Sequence, residues 1–151
     1  MTESSIRPPN VPPGARVVDA ELFRLLLDFE LQKARRLRYC LSVVYLKSEI
    51  RAPNDSAADS FAQMVARRIR STDVATERAR DVVALLLIDA DLTSLPAILR
   101  RVIADFEALS WSAGVASYPK SGNNPDELIE QAAAMLTQPG ANGGREISPP
   151  P

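Results

Sequence analysis

The 151-residue chain contains no histidine and a single cysteine, Cys40. Without histidine there is no Ser–His or Cys–His nucleophile pair, no imidazole general base and no His-ligated zinc. One cysteine excludes an internal disulfide and any multi-cysteine metal site. Cys40 precedes an apolar run, which predicts a buried structural thiol. Aromatic residues are scarce at 5%; Trp111 and Tyr45 stand inside apolar runs and read as core rather than as binding platforms. No apolar run approaches the ~20 residues that cross a bilayer, and no signal peptide is visible, so the expected location is the cytosol, away from membrane. Net charge is -1, which supplies no global field toward nucleic acid. Lysine is rare as well: 15 of the 18 basic residues are arginine. Arginine presents a planar fork suited to phosphates and base edges, although a GC-rich genome accounts for most of such an excess.

What is present is an ordinary globular composition, 46% apolar and 25% charged, in a length that fits one domain with a real core. Residues 1–15 hold Pro8, Pro9, Pro12 and Pro13, and residues 139–151 read PGANGGREISPPP. Neither segment has the apolar surface to offset its ordering entropy, so both read as flexible tails around a domain at 16–138.

Between the tails the periodicity is legible. Asp19 to about Arg38 follows helical spacing through Leu22, Phe23, Leu26 and Leu27, and Arg35, Arg36 and Arg38 close the helix where its dipole favours cations. Leu41–Leu46 is a short β-branched-rich run that reads as a buried strand. Ser56-Ala-Ala-Asp59 resembles a capping box that would open a helix through Phe61, Met64, Val65 and Ile69. Val82–Ile88 reads as a strand, Thr93 to about Phe106 as a helix with Pro96 in its first turn, and Leu109–Tyr118 as another strand. Asn124-Pro-Asp-Glu127 opens a last helix with a cap, a first-turn proline and two acids at the positive end. This alternation predicts a mixed sheet with helices on its faces.

Several landmarks come in the order of a known family. Asp19-x-x-x-Phe23 with Glu30-x-x-Lys33-Ala34-Arg35-Arg36, then Leu41–Leu46, the segment Asp73–Asp91, Ser112-Ala-Gly-Val-Ala-Ser-Tyr-Pro119 and Pro125-Asp-Glu-Leu128 together resemble the GGDEF domains of bacterial diguanylate cyclases over roughly residues 17–145. The resemblance implies an α+β fold: a mixed, mainly antiparallel sheet of about five strands flanked by helices.

The same resemblance implies that catalysis is lost. The five signature positions read Ala79, Arg80, Asp81, Val82 and Val83. Side chains at Ala79 and Arg80 occupy space that the signature glycines leave open to nucleotide. The family's metal carboxylates match Lys47, an amine that repels a cation, and Val82, which has no lone pair. Asn54-Asp55 is a remnant of the family's asparagine, the following segment lacks Gly and His, and the late phosphate-binding lysine matches Gly140. Glu49 and Asp81 keep carboxylates nearby and read as solvated loop charges. The expectation is a non-enzyme with no metal and no cofactor.

Many members of that family also carry a product-binding Arg-x-x-Asp, its Asp six residues before the first signature glycine. Arg70-Ser-Thr-Asp73 has that registration, and Arg101, beside Arg100, stands where a second arginine helps hold cyclic di-GMP. Arg16–Asp19 and Arg78–Asp81 match the same short pattern without the registration. An Arg fork reads guanine acceptors or phosphate, and Asp accepts from guanine N–H groups. The alternative is that Arg70 merely closes a helix and Asp73 makes a turn. Two functions stay open: a cyclic di-GMP receptor, or a ligand-independent module for a protein partner or self-association.

Overall fold

The structure, a computed structural model, describes residues 16–50, 60–104 and 108–137. The expected tails and the Ser56–Asp59 box fall outside these residues, as do Asn54-Asp55 and Gly140.

Helix α1 (Ala20–Leu37) starts where the Asp19 carboxylate accepts the Leu22 N–H at 2.8 Å. It buries Phe23, Leu27, Leu31 and Ala34, one stripe at helical spacing. It stops at Arg38, which turns into the left-handed region (φ 63°) so that its N–H reaches the Ala34 carbonyl. A non-glycine residue there costs about 1 kcal/mol, which the flanking packing must offset. The sequence expectation for this helix therefore holds at both ends.

Strand β1 (Arg16–Val18) precedes α1 and was not expected. Strand β2 (Leu41–Ile50) runs four residues past the expected end. Helix α2 (Phe61–Ala66) is opened by Ser60, whose hydroxyl accepts the Gln63 N–H while Gln63 reaches back to the Ser60 N–H. Strands β3 (Val74–Ala79) and β4 (Val82–Ile88) form a hairpin. Helix α3 (Leu95–Ile103) follows, with Leu99, Val102 and Ile103 buried as expected; the expected fourth inward residue, Phe106, lies outside the described residues. Strand β5 (Ala108–Tyr118) and helix α4 (Pro125–Thr137) complete the chain.

The sheet order is β1-β3-β4-β2-β5, antiparallel except for the β1–β3 pair. Strand alternation splits the core into two layers. Leu41, Val43, Tyr45, Ala84, Leu86 and Ala116 meet α1 and α4 on one face. Val44, Leu46, Val83, Leu85, Leu87 and Val115 meet α2 and α3 on the other. Trp111 packs partly buried against this second layer and Tyr45 is buried in the first, so both serve as core residues. Gly114 lets α4 lie directly on β5: a Cβ there would come within 2.0 Å of the Ala132 carbonyl oxygen.

Candidate functional site: the hairpin end and the Arg70–Asp73 clamp

At one end of the sheet the β3–β4 hairpin turns through Arg80 and Asp81, with Ala79 paired to Val82 and a register shift between Glu77 and Ala79. Lys47 of β2 pairs directly with Val82 of β4, and the Ser48 N–H donates to the Asp81 carbonyl at 3.1 Å. The two positions matched to metal carboxylates are therefore cross-strand neighbours. They offer an ammonium and an isopropyl group. Arg78 sets its guanidinium 6.0 Å from the Tyr45 ring centroid, which adds a second cation near this corner. Arg80 is exposed, Asp81 and Val82 are half-buried, and Val83 points into the α2/α3 layer. Among the described residues no group of three His, Cys, Asp or Glu side chains could hold a metal ion.

At the opposite end of β4, Arg70 and Asp73 face each other. Asp73 is 3% exposed. Its Oδ1 accepts the Ile88 N–H and its Oδ2 accepts the Arg70 N–H, each at 3.0 Å. The Arg70 guanidinium donates through Nη2 to the Ile88 carbonyl at 2.6 Å and holds Nε 3.8 Å from Asp73 Oδ2. One carboxylate thus ties the turn after α2 to the last residue of β4. Burial pushes the Asp73 carboxyl above its ordinary value, opposed by the Ile88 and Arg70 backbone hydrogen bonds and by the Arg70 charge. The Arg70 side chain stays 58% exposed, so most of its five N–H donors face solvent.

Arg101 is exposed on α3, six residues or about 9 Å along the helix from its first residue. Among the described residues no hydrogen bond or ion pair joins it to Arg70 or Asp73. The sequence singled out Arg70 and Asp73 by registration, left open whether they face each other, and missed Ile88, whose N–H and carbonyl complete the clamp. Both of those groups are backbone, which any residue supplies, so no sequence signal marks them. Cys40, expected buried, is half-buried; burial and the neighbouring Asp91 and Asp89 raise its thiol pKa.

No family model matches the sequence, and no curated protein matches it. Solved structures do. The GGDEF domain of TpbB (YfiN) from Pseudomonas aeruginosa superimposes with a TM-score of 0.67 at 20% identity, covering 87% of this chain and 90% of that one. The fold is that of a GGDEF domain. The GGDEF domain of DgcB from Caulobacter crescentus, in complex with c-di-GMP, matches 95% of this chain and 96% of that one at TM-score 0.65 and 14% identity. The active GGEEF domain of a diguanylate cyclase from Vibrio cholerae gives 0.66 at 11% identity over 87% and 96%. The GGDEF fold so placed agrees with the expected α+β class, and no helix among the described residues is long and apolar enough to cross a membrane.

Proposed function

We propose that this chain is a non-catalytic GGDEF-type domain that binds cyclic di-GMP through Arg70 and Arg101, with Asp73 as the residue that positions Arg70. The loss of catalysis is supported by the Lys47–Val82 pair. A cyclase needs oxygen donors for divalent metals, and these two side chains do not fit that requirement, so no cyclisation step runs through them. The observation that carries the binding half is the anchored guanidinium. Arg70 is held by its 2.6 Å bond to the Ile88 carbonyl while its outer edge remains in water. Fixing that fork in advance lowers the ordering cost of binding, and the free N–H groups suit guanine O6 and N7 or a phosphate. Asp73 has both oxygens occupied by backbone N–H groups, so in this reading it aims Arg70 instead of touching ligand. The GGDEF domain of DgcB, similar in fold, is in complex with c-di-GMP, which supports this reading.

Titration calorimetry of the full chain with cyclic di-GMP tests the binding half. Binding in the micromolar range is expected, with Arg70→Ala weakening it about tenfold or more, the loss of one charge-assisted pair. Absence of heat at high micromolar ligand, or an Arg70→Ala affinity equal to wild type, rules it out. Turnover of GTP with magnesium or manganese by the purified chain, abolished in an Asp81→Ala variant, would overturn the non-catalytic half.

A further inference from the structure

Three carboxylates stand near the clamp end of β4, and they differ in what occupies them. Asp73 is buried, with one oxygen on the Ile88 N–H and the other on the Arg70 N–H. Asp91 caps the approach to α3: its Oδ1 accepts the Thr93 hydroxyl at 2.8 Å and the Ser94 N–H at 3.0 Å. Asp89 is exposed, and among the described residues its carboxylate has no hydrogen bond or ion pair. Its backbone N–H donates to the Cys40 carbonyl at 2.9 Å, and it adopts a left-handed φ of 60°, which glycine would hold without strain.

Asp89 directly follows the residue that holds Arg70, whose Nη2 donates to the Ile88 carbonyl at 2.6 Å. One Cα step is about 3.8 Å, so the free carboxylate lies within about 9 Å of the anchored guanidinium. Among the described residues no ion pair joins the two. A fixed cation and an unoccupied anion are thus both open to solvent, separated by about the width of one nucleobase.

Given the cyclic di-GMP reading above, on which this depends, we infer that Asp89 selects guanine at the Arg70 site. The Arg70 fork donates to guanine O6 and N7, and the Asp89 carboxylate accepts from N1–H and the 2-amino group. Adenine reverses the pattern: its 6-amino group meets the fork as a donor, and its N1 meets the carboxylate as an acceptor. Each mismatch leaves a desolvated polar group without a partner, so the pair rejects adenine as well as holding guanine. Registration in the sequence assigned the guanine N–H groups to Asp73. Its oxygens already serve the Ile88 and Arg70 backbone, and Asp89 takes that role in its place.

Calorimetry of the full chain with cyclic di-GMP and with cyclic di-AMP tests the role of Asp89. Wild type should prefer the guanine ligand by about a hundredfold or more. Asp89→Gly should weaken cyclic di-GMP about tenfold or more without weakening cyclic di-AMP, so the preference falls by at least that factor. Because glycine accepts the left-handed φ, the thermal midpoint of this variant should not fall, which separates lost recognition from a lost fold. No heat from wild type with cyclic di-GMP, or binding indifferent to Arg70→Ala, would overturn the receptor and the role of Asp89 with it. Arg70-dependent binding whose affinity or guanine preference survives Asp89→Gly would overturn Asp89 alone.

Discussion

Lys47 and Val82 stand opposite each other on neighbouring central strands, and the Ser48–Asp81 backbone bond closes the corner beside them. Side chains so paired have Cβ atoms about 5 Å apart, close enough for two carboxylates to share a cation. Replacing both at once, Lys47→Asp with Val82→Glu, should create manganese-dependent paramagnetic broadening of amide signals confined to the hairpin end. The parent chain should show none at the same metal concentration; matching broadening there would mean that other oxygens gather metal at this corner.

The Arg70–Asp73 clamp makes an asymmetric prediction. Asp73→Ala leaves two part-buried backbone N–H groups without their acceptor, at about 1–3 kcal/mol for each donor, so a total loss of about 2–6 kcal/mol is expected. Arg70→Ala removes a half-exposed donor and should cost less than about 1.5 kcal/mol. Urea unfolding measures both. Equal losses would mean that the carboxylate holds the turn only through the guanidinium.

Asp73 also gives an acid signature with an unusual sign. Its carboxyl is raised from 3.8 when folded, so the native state binds that proton more tightly than the unfolded chain. Its contribution to stability is greatest below the ordinary carboxylate value and is lost as pH rises through the raised one. The exposed carboxylates Asp91 and Asp126 are shifted the other way and lose their contribution as pH falls. The stability difference between wild type and Asp73→Asn should therefore move in favour of wild type on acidification. A difference independent of pH would place the Asp73 carboxyl at its ordinary value.

At Gly114 the backbone of β5 lies directly against that of α4. A methyl group there would meet the Ala132 carbonyl oxygen at 2.0 Å and the Leu136 nitrogen at 2.7 Å, both of them backbone. Gly114→Ala should cost about 3 kcal/mol or more, since α4 must lift from the sheet. Thermal unfolding with near-ultraviolet dichroism reads this, and a loss below about 1 kcal/mol would show that α4 slides without penalty.

Tyr39 donates to Glu30 Oε1 at 2.8 Å, and burial together with that carboxylate pushes its phenol up to about 12. The stability it confers is complete below 10.0 and disappears as pH climbs through about 12. In a spectrophotometric titration of the three tyrosines, Glu30→Gln should bring one of them back toward the ordinary range. An unaltered curve would assign the shift to burial alone.

Where periodicity is strong, the fold can be read from residues alone. Phe23, Leu27, Leu31 and Ala34 mark α1, and the unbroken Val82–Ile88 run marks a strand buried on both faces. Strand β1 cannot be read that way. Its three residues become a strand by pairing in parallel with Val74, Ala75 and Thr76, nearly sixty residues away. The helix cap illustrates a different failure: Ser56–Asp59 and Ser60–Gln63 carry nearly the same short pattern, and the observed reciprocal bonds belong to the second. For the site, registration against the hairpin selected Arg70 and Asp73, but their orientation depends on the backbone of Ile88.

The two margins of the sheet are unequal in how they meet another chain. On one side β1 is only three residues long, too short a template for an incoming strand. On the other, α4 packs against β5 and the Met135 thioether accepts the Val115 N–H at 3.4 Å. Strand addition and runaway fibre growth are thereby discouraged at both borders.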